Sequence, residues 1–312
     1  MRMRKLLPAL ALATGLAAGP ALADGGTLKI GRDQDSNTLD PIYTIENADI
    51  WVLNNMNAKL VRVADDMSGV APALAKSWEI SEDKTTYTFH LRDGLKFSNG
   101  DPLTASDVAF SLERLRDDKE SVLRSMFQVV QDVKAPDPQT VVIELDHPSA
   151  PFMSALAVFS ASIVPEDVVK ARGENFGTNP VGAGAFRLKE WQRGNRIFLE
   201  RNPHYYKDGQ PKLEEVHWMV EANDNTRLLK LQAGEIDAAI GVPFSRIEGL
   251  RQNANIKVKL EPSSREDHLL MNHEHAPLGK AKVRRALYHA IDRQGIIDAV
   301  LFGYGEVATS FV

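Results

Sequence analysis

The side chains best suited to chemistry sit close together, late in the sequence. Arg265-Glu266-Asp267-His268 is an unbroken run of titratable groups. An arginine can hold a carboxylate through two parallel hydrogen bonds, and an acid can hold an amino group. The same run also reads as a solvated charged turn. Just downstream, His273 and His275 flank Glu274, and on an extended strand those two imidazoles would share a face. Neutral imidazole is a good metal ligand. The chain nevertheless carries neither His-Glu-x-x-His nor a Cys/His zinc pattern, and no metal site is expected. It also has no Gly-x-Ser-x-Gly elbow, no P-loop and no Gly-x-Gly-x-x-Gly following a strand. Acids are plentiful, but no spacing singles out a hydrolytic carboxylate pair. None of these patterns points to an enzyme.

The flanking pattern predicts what positions that run. Ile256, Val258 and Leu260 alternate with Lys257, Lys259 and Glu261, the period of a half-buried strand. Pro262-Ser263-Ser264 breaks it, since proline has no amide hydrogen to donate. Leu269-Leu270-Met271 then predicts a second strand. One strand stops, a polar kink intervenes and another strand starts.

Upstream, Thr27 to Gly31 predicts a first strand, and a turn-rich loop around Asp40-Pro41 leads to a helix over 47–60. Trp78 to Ile80 and Tyr87 to Leu91 predict a hairpin across Ser81 to Thr85. Thr104 to Asp107 reads as a helix start, with Val108, Leu112 and Leu115 as the buried stripe. Strands follow at 129–133 and 140–145, then an apolar helix at 148–159. Gly173 to Gly184 looks like a boundary. Beyond it come a hairpin (185–189 and 196–201), a strand through Val216, Trp218 and Val220, a helix capped by Asp224 and closed by Gly234, and a short strand at 236–240. Strand–helix–strand favours a sheet with a crossover helix. Two helices, the second capped by Asp292, end the pattern.

The 312 residues are ordinary in composition, with 43% hydrophobic and 25% charged residues and no cysteine. Stability must come from packing, not disulfides. Arg2, Arg4 and Lys5, an apolar run over 6–18 and Ala21-Leu22-Ala23 form the three parts of a secretory signal peptide, cleaved after Ala23. Removing it takes the formal net charge from −5 to −8. An acidic surface disfavours nucleic acid, and no later segment is apolar enough for membrane insertion.

Several stretches then resemble one family, the periplasmic solute-binding proteins of ABC importers, peptide/nickel group (solute-binding protein family 5). They are Val70-Ala-Pro-Ala-Leu-Ala-Lys-Ser-Trp78, Tyr87-Thr-Phe-His-Leu-Arg-Asp-Gly-Leu-Lys-Phe97, Pro102-Leu-Thr-Ala-Ser-Asp-Val108, Asn179-Pro-Val-Gly-Ala-Gly-Ala-Phe186, Glu200-Arg-Asn-Pro-His-Tyr-Tyr206, Leu231-Gln-Ala-Gly-Glu-Ile-Asp237 and Val283-Arg-Arg-Ala-Leu-Tyr-His-Ala-Ile-Asp-Arg293. Ala183 and Ala185 stand where the family's motif usually has Thr and Pro.

The resemblance implies an α/β, periplasmic binding protein-like (class II-type) two-lobe fold with an extra domain inserted in lobe I. Residues 24–64 and 173–262 would form lobe I, 65–172 the extra domain, and 263–312 only the start of lobe II, the chain being a C-terminal truncation of a longer family pattern. It implies periplasmic capture of a small solute, peptide favoured, and delivery to ABC permease subunits by a protein that is monomeric at full length and uses no cofactor. Nickel complexes, glutathione and oligosaccharides are the alternatives within the family, and a peptide sensor or chaperone-like binder is the alternative outside it. The loop after the first strand and the lobe crossings line the cleft in relatives. Carried over, these are Tyr43, Thr44, Ile45 and Glu46, then Arg265, Glu266, Asp267 and His268, with Phe244 a weaker candidate.

Overall fold

The structure, a computed structural model, describes residues 25–261 and 266–309. In chain order its elements are β1 (Thr27–Arg32), α1 (Asn47–Met56), β2 (Val61–Val63), β3 (Val70–Pro72), β4 (Ala75–Ile80), β5 (Thr86–Leu91), α2 (Ala105–Asp117), β6 (Val130–Asp137) and β7 (Thr140–Leu145). There follow α3 (Phe152–Ala155), α4 (Glu166–Arg172), β8 (Phe186–Gln192), β9 (Arg196–Arg201), β10 (Glu215–Val220), α5 (Asp224–Gln232), β11 (Ala238–Ala239), α6 (Ile247–Arg251), α7 (Ala281–Ala290) and α8 (Arg293–Val300). The fold is mixed α/β.

Two sheets dominate. The first has the order β11-β1-β10-β9-β8. β1 runs parallel to both neighbours, with Arg32 opposite Val220 and Ile30 opposite Ala238. The β10–α5–β11 crossover therefore straddles β1, as parallel strands require. Asn223, not Asp224, caps α5 by accepting from the Thr226 amide at 3.0 Å. Asp224 instead occupies the first turn, where an acid meets the positive end of the helix. Gly234 leaves the helix at φ +74°, a conformation that costs a residue without Cβ little.

The second sheet, β4-β5-β7-β6, is antiparallel. Tyr87, Phe89 and Leu91 alternate inward from β5, and Val141, Ile143 and Leu145 do so from β7. The pairs Phe89–Val141 and Tyr87–Ile143 stand opposite each other. Its core continues through α2 (Val108, Leu112, Leu115) and takes in Ile42, Leu60, Val61, Val181 and Ala183. The Thr104 amide donates to Asp107 Oδ2 at 2.9 Å, so the acid three residues on closes the start of α2. A second cluster, Leu39, Val52, Leu53, Met56, Ile197, Leu199, Val216 and Trp218, glues α1 to the first sheet. Trp51 stacks on Trp218 there, with centroids 6.2 Å apart and planes 9° apart.

Four expected elements differ. α1 stops at Met56, because Asn57 turns extended and Gly184 N–H takes the Met56 carbonyl at 2.8 Å. The helix over 148–159 shrinks to one turn, α3, with Pro151 as its cap residue and Val158 extended. The strands around 256–260 and 269–271 are absent. A strand needs a neighbouring edge to receive its alternate amides, and no described strand runs beside them. Leu269 and Leu270 are exposed. Helix α7 has no buried residue, and α8 buries Ile297. The leader over 1–23 and the kink at 262–265 lie outside the described residues.

Candidate functional site

In open α/β sheets, ligands bind outside the carboxyl ends of parallel strands, where successive connections diverge. Here β1, β10 and β11 end along one edge, and their following loops start at Asp33, Glu221 and Ile240. Two arginines organise that edge. Arg32, the last residue of β1, is fully buried, and its Nη1 donates to Ala48 O at 2.5 Å and to Ser36 Oγ at 3.2 Å. Its Nη2 pairs with Asp35 Oδ1 at 3.2 Å. Burial pulls its pKa down, against the opposing pull of Asp35 and Asp49. Arg227 of α5 is equally buried. It donates to Glu221 O (2.7 Å) after β10 and to Gly241 O (2.9 Å) after β11, and pairs with Asp224 at 2.6 Å.

The loop after β1 is held by two acids. Asp35 accepts from the Gly194 amide at 2.8 Å and from Trp191 Nε1 at 3.2 Å, anchoring the loop to the β8–β9 turn. Asp49, fully buried on α1, accepts from the Asn37 amide at 2.7 Å and from Thr44 Oγ1 at 2.6 Å. One carboxylate thus staples the beginning of the loop to its end.

The predicted site residues fall unevenly about this edge. Tyr43 is 39% exposed. Its hydroxyl donates to Asp118 Oδ2 at 2.6 Å, and the Arg114 guanidinium stands 5.3 Å from its ring centre. Burial and the hydrogen bond to Asp118 push its pKa up to about 12. Thr44 is buried, and its hydroxyl, besides donating to Asp49, accepts from the Glu46 amide at 3.0 Å. Ile45 is 63% exposed and Glu46 is exposed at the start of α1. Phe244, beyond β11, stacks on Tyr304 at 5.7 Å. Glu266, Asp267 and His268 are exposed, and Arg265 lies outside the described residues. Among the described residues, no group of three or more His, Cys, Asp or Glu side chains could hold a metal ion. Sequence reasoning missed Arg32, Asp35, Asp49 and Arg227. The available signal was a charged residue ending an alternating strand, followed at once by Asp33-Gln34-Asp35-Ser36.

Residues 69–312 match the family described as "Bacterial extracellular solute-binding proteins, family 5 Middle". The chain belongs to solute-binding protein family 5. Among its family 5 relatives, the probable D,D-dipeptide-binding periplasmic protein DdpA of Escherichia coli K12 is 36% identical over 97% of this chain and 60% of its own length. Helicobacter pylori DppA, solved in complex with the peptide STSA, superposes with a TM-score of 0.82 at 26% identity, covering 92% of this chain and 60% of that one. Campylobacter jejuni NikZ, solved with Ni(L-His), also gives 0.82, at 29% identity and with coverage of 90% and 56%. The chain spans about 60% of the length of the curated relatives it matches. The periplasmic binding protein fold of family 5 is thus the fold of this chain. No helix among the described residues is long and apolar enough to cross a membrane.

Proposed function

We propose that this protein is the extracytoplasmic receptor of an ABC importer, and that it captures a small peptide at the carboxyl edge of the first sheet for delivery to the permease. One observation carries the reading: in a family 5 chain, three loops converge at the end of the parallel strands and are fixed there by buried polar anchors. Such an edge presents backbone groups and a few polar side chains in fixed positions, which suits a ligand that is itself amide-rich. Relatives named for dipeptide or peptide binding favour that ligand class.

In this reading Tyr43, Ile45, Glu46 and Phe244 face the ligand from the first lobe, and Arg265, Glu266, Asp267 and His268 face it from the crossing. Thr44 acts through Asp49 by holding the loop. Residues 24–64 and 173–262 form lobe I, 65–172 the inserted domain, and 263–312 the beginning of lobe II. The leader directs export to the periplasm, the receptor works as a monomer, and no chemistry is done on the ligand. Closure of the lobes on the peptide would shift a population already present in the free protein.

The test is calorimetric titration with D-alanyl-D-alanine and with an L-dipeptide, followed by chromatographic recovery of the ligand. Saturable binding with intact peptide recovered supports the reading. Hydrolysed peptide, or saturation by neither dipeptide, sinks it. The NikZ complex motivates one competing ligand class. Binding of Ni(L-His) with neither dipeptide bound would favour that class.

A further inference from the structure

Three of the stretches singled out in the sequence are not used by the strand-end site. They are residues 70–78, 87–97 and 200–206, and they meet elsewhere. Lys76 comes from the first, Arg92 and Lys96 from the second, and His204, Tyr205 and Tyr206 from the third. Together they line a cavity of about 530 Å³. That volume lies within the range of small-molecule sites. Its lining shares no residue with the loops that follow β1, β10 and β11.

The cavity's walls are set by contacts independent of any ligand. Arg92 Nε donates to Ala73 O at 2.6 Å, and its guanidinium stands 5.5 Å from the centre of the Tyr206 ring. Tyr205 and Tyr206 pack edge to face at 4.9 Å. Asn202 is buried, and its side chain accepts from the His204 amide at 2.9 Å and donates to Gly184 O at 2.8 Å, fixing the third wall.

The charge is uneven. Asp93 and Asp208 also border the cavity, but Asp93 is engaged, lying 3.8 Å from Lys76 and accepting from Gln139 Nε2 at 2.7 Å. Lys96 has no carboxylate within ion-pair distance among the described residues. Lys207 reaches over the Tyr206 ring at 5.8 Å, and Arg62, itself paired with Asp65, lies close enough to act on Tyr206. Cations outnumber acids here, in a chain whose formal net charge is −5. Burial and Tyr206 push the Tyr205 hydroxyl up to about 12, so at neutral pH it remains a hydrogen-bond donor. Ammonium, guanidinium and phenol groups around one hollow suit an acceptor-rich ligand carrying more than one negative charge.

We propose that this hollow is a second ligand site, which takes a small, multiply charged oxyanion held by Lys76, Arg92 and Lys96. It is independent of the peptide reading. Inorganic phosphate and citrate share the chemistry and separate an inorganic from an organic polycarboxylate ligand. Each is titrated calorimetrically into the full chain and into a Lys76→Gln/Lys96→Gln variant. Both lysines are exposed, and the Lys76–Asp93 contact is a surface pair worth little, so the variant keeps the fold. A thermal melt checks this. The expected result is saturable binding of at least one probe, weakened about tenfold or more in the variant, a loss of about 1.4 kcal/mol. Dipeptide binding should be the same in both proteins. If neither probe saturates the wild type, or if the variant binds as tightly, there is no such site.

Discussion

The contact most exposed to a decisive test joins the loop after β1 to helix α2. Arg114 Nη1 and Nη2 lie 2.9 and 2.6 Å from the two oxygens of Asp40, a parallel bidentate pair. The side chains are 13% and 3% exposed. Burial alone would lower the arginine's pKa, but hydrogen bonding and charge from Asp40, joined by Tyr43, leave it above its ordinary value. Replacing Arg114 with Met keeps most of the apolar stem and leaves a carboxylate with almost no access to water. The expected cost is about 3–5 kcal/mol, because breaking a buried pair strands the remaining charge. That is a large share of the ~5–15 kcal/mol that holds a typical domain together. Asp40→Asn removes the charge but keeps the shape, and the double variant should be less damaged than the two single losses added, by at least ~1 kcal/mol. Urea denaturation of the four proteins, read as midpoint shifts at constant slope, measures this. If Arg114→Met lies within about 0.5 kcal/mol of wild type, or if the losses simply add, the pair does not hold the loop as argued.

Thr44→Val removes one of the two bonds to the buried Asp49 and should cost about 1–3 kcal/mol, while Thr44→Ser should largely restore stability; thermal melts separate them. Gly184→Ala would bring a Cβ to within 2.4 Å of Met56 C and 2.6 Å of Asn55 O, both backbone atoms, so a loss of about 1–3 kcal/mol or a failure to fold is expected, read by soluble yield and denaturation. Tyr43, with its pKa raised to about 12 from 10.0, contributes stability that is fully present below pH 10 and lost as pH climbs toward 12. Phenolate absorbance should show a late-titrating component shared with Tyr205, and its amplitude should fall in Tyr43→Phe; an undiminished amplitude would refute the assignment.

The parts of the fold legible in the sequence are those whose cause is local. Alternation at 87–91 and 141–145 survives because these strands lie side by side in one antiparallel sheet and turn the same faces inward. The start of α2 was legible because its acid sits three residues from the cap. The misreadings share a different cause. Ile256, Val258 and Leu260 carry a strand's period, but period does not supply a partner edge, and a ladder needs one. Thr44 was carried over from the loop that lines the cleft in relatives, and its partner could not be foreseen, because a polar loop residue reads the same whether it meets solvent or a buried carboxylate.

The same ambiguity explains why the organisers of the candidate site were invisible. An arginine is ordinarily a surface residue, yet Arg32 and Arg227 are among the largest fully buried side chains. Each leaves its Nε without a partner. Burying a guanidinium is costly unless carbonyls and acids replace its water. The replacements come from separate segments: Ser36 in the loop after β1 and Ala48 in α1 for one, Glu221 and Gly241 in the loops after β10 and β11 for the other. An apolar side chain could fill either volume without that cost, but it could not bond to the loop carbonyls. The guanidiniums therefore specify where the loops after β1, β10 and β11 stand, and they do so at the edge of the sheet proposed to take the ligand.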